Sequence, residues 1–332
     1  MKTTSRLIAA CLPALMIAGT ASAEDDVRLR LNWMYYGSHA PFSLGLDAGY
    51  YDEQDIDLDI RSGNGSSAAA RLVANGDSDF AYGSCAAMVT LAAQGAPLIS
   101  VGVIDAMGTE AVIVRPDTGI ETIADLEGQK ILTTANAGVN TFFPLVLANA
   151  GLSEDDVTIV NVPEGALISG YIQGPDDSVG ILGGLDDKPS QIKTAGGPEP
   201  VTFPYSDYGV NQVGYCVVAH KDMVEENPEL VKRFMAATVK AFSDAEADPM
   251  KAIDAMADIV GGSANTDESK AAELDVLNVT LGVLYSAGNT DKKIGYHVAS
   301  DWEDMLTLMK DYNDLETDMV ASDFYTNDFL PE

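Results

Sequence analysis

Short apolar runs, separated by glycine and polar turns, dominate the first two thirds of the chain. Residues 27–33, 57–60, 80–81, 98–103, 111–114, 130–133, 157–160 and 179–182 have the β-branched, alternating or wholly apolar character of strands. Between them, residues 41–51, 67–74, 86–93, 141–150 and 165–171 have helical spacing. Strand followed by helix, repeated, predicts α/β units on a largely parallel sheet. After Ala219 the pattern changes. Residues 227–248, 250–260, 267–285 and 301–312 read as helices with few strand candidates between them, so the last third predicts a helical layer. Pro228 suits the first turn of its helix, and Asp248-Pro249 divides that helix from the next.

The first residues have a different purpose. Lys2 and Arg6 precede an apolar stretch over 7–18 and the small-residue sequence Ala21-Ser22-Ala23, the pattern of a secretory signal peptide cleaved after Ala23. The stretch is shorter than the ~20 residues a spanning helix needs, so the mature protein is expected in the periplasm. A lipoprotein reading of Ile8-Ala9-Ala10-Cys11 competes, but the apolar segment runs on well past Cys11. About 309 mature residues exceed what one core usually holds, which points to two lobes.

Charge narrows the partners. Lys and Arg number 19 against 51 Asp and Glu, a formal net charge of −32, and loss of Lys2 and Arg6 makes it about −34. Such a surface repels nucleic acid and anionic lipid, and its even spread reads as a solvated surface. No calcium loop of EF-hand spacing is present, and Cys and His do not cluster at zinc-ligand spacing. Cys85 and Cys216 both lie in apolar surroundings, which suits a disulfide in an oxidising compartment and buried free thiols alike.

In open α/β sheets a ligand sits beyond the carboxyl ends of the strands. Three loops there are built alike. Ser62-Gly63-Asn64-Gly65-Ser66-Ser67, Gly83-Ser84 and Asn136-Ala137-Gly138-Val139-Asn140-Thr141 each lead from a strand into a helix, bringing uncharged hydrogen-bonding groups to helix N-termini. Asn64, Ser66, Ser84, Asn136 and Thr141 are therefore candidate ligand contacts. The Gly-rich loop has neither the ending of a phosphate-binding P-loop nor the spacing of a dinucleotide site, and no cofactor is expected. The first strand runs into Asn32-Trp33-Met34-Tyr35-Tyr36-Gly37-Ser38-His39, where Trp33, Tyr35 and Tyr36 are candidate stacking faces. A second aromatic group, Tyr205, Tyr208 and Tyr215, brackets Asp207.

Leu31-Asn-Trp33, Gly37-Ser-His39-Ala-Pro41-Phe, Ala48-Gly-Tyr-Tyr51, Gly63-Asn-Gly-Ser66 and Asn75-Gly-Asp-Ser-Asp-Phe80, in this order, resemble the nitrate/taurine-type ABC solute-binding proteins. Within these the sequence is most similar to the thiamine-pyrimidine-precursor (NMT-like) branch. Ile123 to Lys130, Asn227 to Phe234, Ser300-Asp-Trp302 and the closing Phe324 to Pro331 extend the resemblance over nearly all of the mature chain. It implies a type II periplasmic binding protein fold, two α/β lobes joined by two crossing strands. Lobe I would hold 24–108 and 217–332, lobe II 109–216, with crossings near Gly108 and Tyr215. It further implies a monomer that closes like a hinge on a small molecule and is read by an inner-membrane ABC permease.

The superfamily also contains fungal synthases that make the thiamine pyrimidine from their own histidine, with a cofactor-bearing lysine and a cysteine-rich iron motif. His39 lies in the comparable segment, but no lysine stands near it and no cysteine cluster exists, so His39 is either a ligand donor or a residue that fixes the loop. A sulfonate, nitrate or aromatic-acid ligand would want a cleft arginine or lysine, and the loops supply almost none. A heteroaromatic ring would want stacking faces with amide or carboxylate partners. Trp33, Tyr35, Tyr36, Asn136, Asp186, Asp187 and Asp207 offer these, with Tyr208 beside them. Pyrimidine precursors of thiamine are the family precedent, riboflavin-like compounds remain open, and Met34 to Ser38 depart from the asparagine-rich turn of pyrimidine-binding members.

Overall fold

Two five-stranded sheets built to one plan organise the chain. The structure, a computed structural model, describes residues 24–332 except Asn136, Thr141, Pro175 and Asp176. Cleavage after Ala23 and the Cys11 alternative concern residues outside this description. The first sheet has the order β2-β1-β3-β10-β4, from β1 (Asp25–Arg30), β2 (Ile56–Arg61), β3 (Phe80–Ser84), β4 (Leu98–Val103) and β10 (Tyr215–His220). The second has the order β7-β6-β8-β5-β9, from β5 (Glu110–Val114), β6 (Lys130–Thr133), β7 (Thr158–Asn161), β8 (Ser178–Gly184) and β9 (Val201–Pro204). In each sheet the strand that arrives from the other lobe, β10 or β5, inserts antiparallel between two strands of its new sheet. The remaining pairs β1/β2, β1/β3, β6/β7 and β6/β8 are parallel, as strand–helix alternation requires.

Helices α1 (Ala40–Asp47), α2 (Ser66–Ala74) and α3 (Cys85–Ala93) follow strands of the first sheet; α4 (Phe143–Asn149), α5 (Glu164–Gln173) and α6 (Lys188–Thr194) belong to the second. The helical layer consists of α7 (Lys221–Glu226), α8 (Pro228–Ala247), α9 (Pro249–Val260), α10 (Asp267–Gly282) and α11 (Ala299–Tyr312). It packs on the first sheet. Phe234 of α8 stacks on Phe80 of β3 at 4.0 Å between ring centres, and Phe242 meets Phe42 of α1 at 5.1 Å.

The structure corrects several boundaries. β1 ends at Arg30, and Trp33 lies in the loop that follows. The chain leaves the sheet because the Gly-rich loop turns across it: Gly63 N donates to the Trp33 carbonyl at 2.9 Å and Gly65 N to that of Asn32 at 2.6 Å. A Cβ on Gly63 would stand 1.8 Å from the Leu31 carbonyl oxygen, so the approach is open only to glycine. α1 stops at Asp47 and not Tyr51, because Gly49 takes a left-handed φ of +70° and Tyr50 N closes back on the Gly45 carbonyl. β9, β10, α6 and α7 are additional to the elements read from the pattern.

Two connectors pass between the lobes, residues 104–109 from β4 to β5 and 205–214 from β9 to β10. They run side by side: Ile104 N and Asp105 N donate to Tyr215 O, Gly214 N donates to Asp105 O at 2.9 Å and Gly108 N to Gln212 O at 2.9 Å. A Cβ on Gly214 would lie 2.8 Å from the Met107 carbonyl oxygen, which keeps the two connectors in backbone contact.

Cys85, at the start of α3, is joined to Cys216 of β10 in a disulfide that spans 131 residues of sequence, with Cα atoms 5.5 Å apart. Both residues are fully buried. Unfolded without reductant, the mature protein should give no titratable thiol, and two after reduction. Two thiols before reduction would show that the pair is not bonded.

Candidate functional site

The parallel strands and the antiparallel insert of each sheet bring chosen ends to one edge. On the first sheet these are the carboxyl ends of β1, β2, β3 and β4 with the amino end of β10. The second sheet contributes the carboxyl ends of β6, β7, β8 and β9 with the amino end of β5. The connectors hold the two edges against each other, and Asn32, His39, Tyr82, Asp105 and Asp186 are buried there.

Rings form one wall. Tyr36 meets His39 edge-on at 4.3 Å between ring centres, His39 meets Tyr82 edge-on at 5.5 Å, and Tyr82 stacks on Tyr215 at 5.3 Å. His39 is fully buried, and its Nε2 bonds Asn32 Oδ1 at 2.7 Å. Burial pushes the imidazole down to about 3, against an opposing pull from the Met34 backbone, so the ring is neutral near pH 7. The ring lies between two tyrosines and is tied to Asn32, while its Nδ1 has no hydrogen-bond partner among the described residues.

Carboxylates face that wall. Asp105, on the first connector, is 1% exposed; Tyr82 OH donates to its Oδ1 at 3.2 Å, and its Oδ2 has no hydrogen-bond partner. Asp186, after β8, accepts from Thr109 Oγ1 at 2.7 Å. Burial holds both carboxyls above the usual carboxylate range, and for Asp105 repulsion from Asp186 adds to it. Burial likewise raises Glu110, at the head of β5, and burial with repulsion from Asp186 raises Asp187. Lys188 is the cation beside them. It is already paired with Glu164 at 2.7 Å and Asp187 at 2.9 Å.

α6 of the second lobe rests on α10 of the helical layer. Ser190 Oγ donates to the Ala272 carbonyl at 2.9 Å, and Lys193 pairs with Asp275 at 2.6 Å. Between these two contacts on α10, Glu273 accepts from Gly37 N at 2.6 Å, tying the same helix to the aromatic loop. These contacts hold the second lobe against the helical layer.

The candidate residues read from sequence are dispersed by this geometry. Tyr36, His39 and Asp186 meet in the interlobe seam. Asn64 and Ser66 sit on the Gly-rich loop at the same edge, Asn64 exposed and Ser66 half-buried beside Gly83. Ser84 is committed in part to capping α3 through Ala87 N at 3.4 Å. Trp33 is 46% exposed, with Met34 more exposed beside it. Tyr35 points the other way, its hydroxyl donating to Ile60 O at 3.0 Å and its ring packed toward α9 and α10. Asp207 is exposed, and Tyr208 packs on the second lobe's core, its hydroxyl accepting from Ile123 N at 3.4 Å. Asn136 and Thr141 lie outside the described residues. Of the second aromatic group, Tyr205 is buried with its hydroxyl on Val139 O, and Tyr215 alone joins the seam.

Sequence reasoning missed Asp105, Glu110 and Tyr82. A signal existed for the first: Asp105 directly follows the largely apolar run 98–104, where a charged group must find a partner or a purpose.

Two α/β lobes joined by two paired connectors define a periplasmic binding protein fold. The backbone superposes on the periplasmic aliphatic sulphonate binding protein of Escherichia coli with a TM-score of 0.69, at 16% identity over 90% of this chain and 96% of that one. Residues 37–252 match the NMT1/THI5-like family profile, and the chain belongs to that family. Among its relatives are a formylaminopyrimidine-binding protein of Halalkalibacterium halodurans, 22% identical over 97% of this chain and 98% of the relative, and a riboflavin-binding protein of Chloroflexus aurantiacus, 23% identical over 92% and 86%. A 4-amino-5-hydroxymethyl-2-methylpyrimidine phosphate synthase of Saccharomyces cerevisiae is 24% identical over 93% and 88%.

Proposed function

We propose that the protein is the periplasmic, monomeric binding component of an ABC importer, that it captures a heteroaromatic, pyrimidine-like solute by hinge closure, and that it hands the solute unaltered to an inner-membrane permease. Lobe I comprises 24–108 and 217–332, lobe II 109–216. The observation that carries the ligand class is the seam itself, where tyrosine rings stand opposite buried carboxylates and the neighbouring lysine is already neutralised. Flat rings supply stacking faces, and carboxyls accept from ring amino groups or donate to ring nitrogens. A sulfonate, nitrate or aromatic acid would enter a site that repels it. The relatives that bind formylaminopyrimidine and riboflavin, both heteroaromatic, support the same class. Against synthase chemistry stands His39, enclosed by rings and tied to Asn32.

A thermal-shift screen of pyrimidines, flavins, sulfonates and aromatic acids identifies the solute, since a ligand of the folded state raises the melting temperature. Small-angle scattering should then show a smaller radius of gyration with ligand; an unchanged value in several salts overturns hinge closure. Mass spectrometry should recover the ligand unaltered after long incubation, and turnover would establish the synthase reading instead.

Trp33, half-exposed on the aromatic loop, is the stacking face most open to an arriving ring. Stacking contributes ~0.5–1.5 kcal/mol beyond area burial and the lost burial of the ring against the ligand adds more, so Trp33→Ala should weaken binding at least about tenfold with little change in melting temperature. Unchanged affinity in a folded variant would remove Trp33 from the site and leave the seam rings and the serine and asparagine loops.

A further inference from the structure

Beyond ring stacking, the seam has a charge to satisfy. We propose that it seats a positively charged nitrogen of the ligand, an ammonium or amidinium group, between Asp105 and Asp186 and within the rings of Tyr36, Tyr82 and Tyr215. This rests on the solute-binding reading and adds to it the charge of the solute.

Asp105 is 1% exposed and Asp186 6%, and each has one oxygen fixed by a hydroxyl, from Tyr82 at 3.2 Å and Thr109 at 2.7 Å. Among the described residues Asp105 Oδ2 has no hydrogen-bond partner, and Glu110 nearby is also drawn into this low-solvent region, with Gln212 beside it. The other charged groups facing this point are Asp187 and Lys188 from the start of α6 and Glu164 from α5; Lys188 is consumed by Glu164 and Asp187, and His39 is neutral. Two acids of the first connector and β5 are thus left to meet Asp186 of the second lobe without a counter-charge of their own. A buried carboxylate in this position costs several kcal/mol unless it takes up a proton or an opposite charge, and an organic cation entering from the cleft supplies the latter. The tyrosines fit the same occupant independently, because aromatic rings around a cation attract it through their π faces while an anion gains nothing from them. A cation so placed favours the ionised carboxylates, so protons taken up by either carboxyl in the empty seam leave to solvent on binding.

The test compares isosteric pairs by titration calorimetry on the whole mature protein. In each pair one ring carries an aminomethyl arm, charged at pH 7, and the other a hydroxymethyl arm of nearly equal size. One pair is built on 4-amino-2-methylpyrimidine and the other on benzene. The charged member should bind at least about tenfold more tightly in each pair and release protons, read from heats in buffers of different ionisation enthalpy. Asp105→Asn and Asp186→Asn should erase the preference; if one of them fails to fold, as judged by circular dichroism, the other carries the comparison. Equal or tighter binding of the neutral members overturns the cation seat while leaving the solute-binding reading standing, as does failure of both charged members when another compound of the screen binds. Failure of every compound in the screen counts against both.

Discussion

Acid should destabilise the ligand-free protein between about pH 6.5 and pH 3, and a single substitution, His297→Phe, should remove a large part of that loss. His297 is 1% exposed, and burial pushes its imidazole from the ordinary 6.5 down to about 3. Below pH 6.5 the unfolded chain takes up a proton that the folded protein refuses. The stability that the neutral histidine contributes is therefore fully present above pH 6.5 and is lost progressively as pH falls toward about 3. At about 1.4 kcal/mol per unit this amounts to on the order of 4 kcal/mol for His297 alone, and His39 adds a similar demand. The seam carboxyls act in the opposite sense. Their raised values make the folded state bind protons first, so their contribution is complete in acid and is lost as pH rises through the folded values. Comparing His297→Phe with the parent leaves the seam unchanged and isolates the histidine. Its Nδ1 has no partner and its Nε2 meets Ser100 Oγ only at 3.4 Å, while its ring packs against Trp302 and Tyr325. Phenylalanine keeps the ring packing and cannot ionise. Guanidinium midpoints at pH 7.5 should then nearly coincide, and at pH 4 the variant should be clearly more resistant; parallel curves at both values would refute the role of His297.

Trp302→Ala should lower stability by about 3–5 kcal/mol, in the range of large aromatic truncations in cores. The side chain is 1% exposed, the largest of the fully buried ones, and its ring lies 5.3 Å from His297 and 5.1 Å from Tyr325. It pins α11 and the closing segment to the first sheet, where Ser100 N and O exchange backbone bonds with Phe324 and Thr326. Truncation leaves a cavity that several elements share, and their separate anchorages limit collapse into it. Trp302→Phe should cost much less, and below the melting transition neither variant should alter ligand affinity, because the residue stands apart from the interlobe seam. A loss under about 1 kcal/mol for Trp302→Ala would mean that the closing segment contributes little to the lobe.

Period and punctuation in the amino-acid sequence determined the α/β alternation, the helical layer after Ala219 and the expectation of two lobes, because these depend on which residues avoid water and where glycine and proline permit turns. Order along the chain also carried the family resemblance. The antiparallel insertion of β10 was not legible: residues 216–219 are a wholly buried apolar run, which can mark a strand but neither its direction nor its neighbours, and their partners lie more than a hundred residues earlier. Nor was the composition of the site. Trp33, Tyr35 and Tyr36 are near neighbours in sequence, yet one faces solvent, one the helical layer and one the seam. A loop has no fixed period from which facing can be read, and here the amides of Gly63 and Gly65 set its path. Asp105, Glu110 and Asp186 look like three members of a very acidic surface. Only the crossing of two connectors between two sheets withdraws them from water and sets them against tyrosines, and it is that loss of solvent, decided by tertiary structure, which makes them candidates for a binding site.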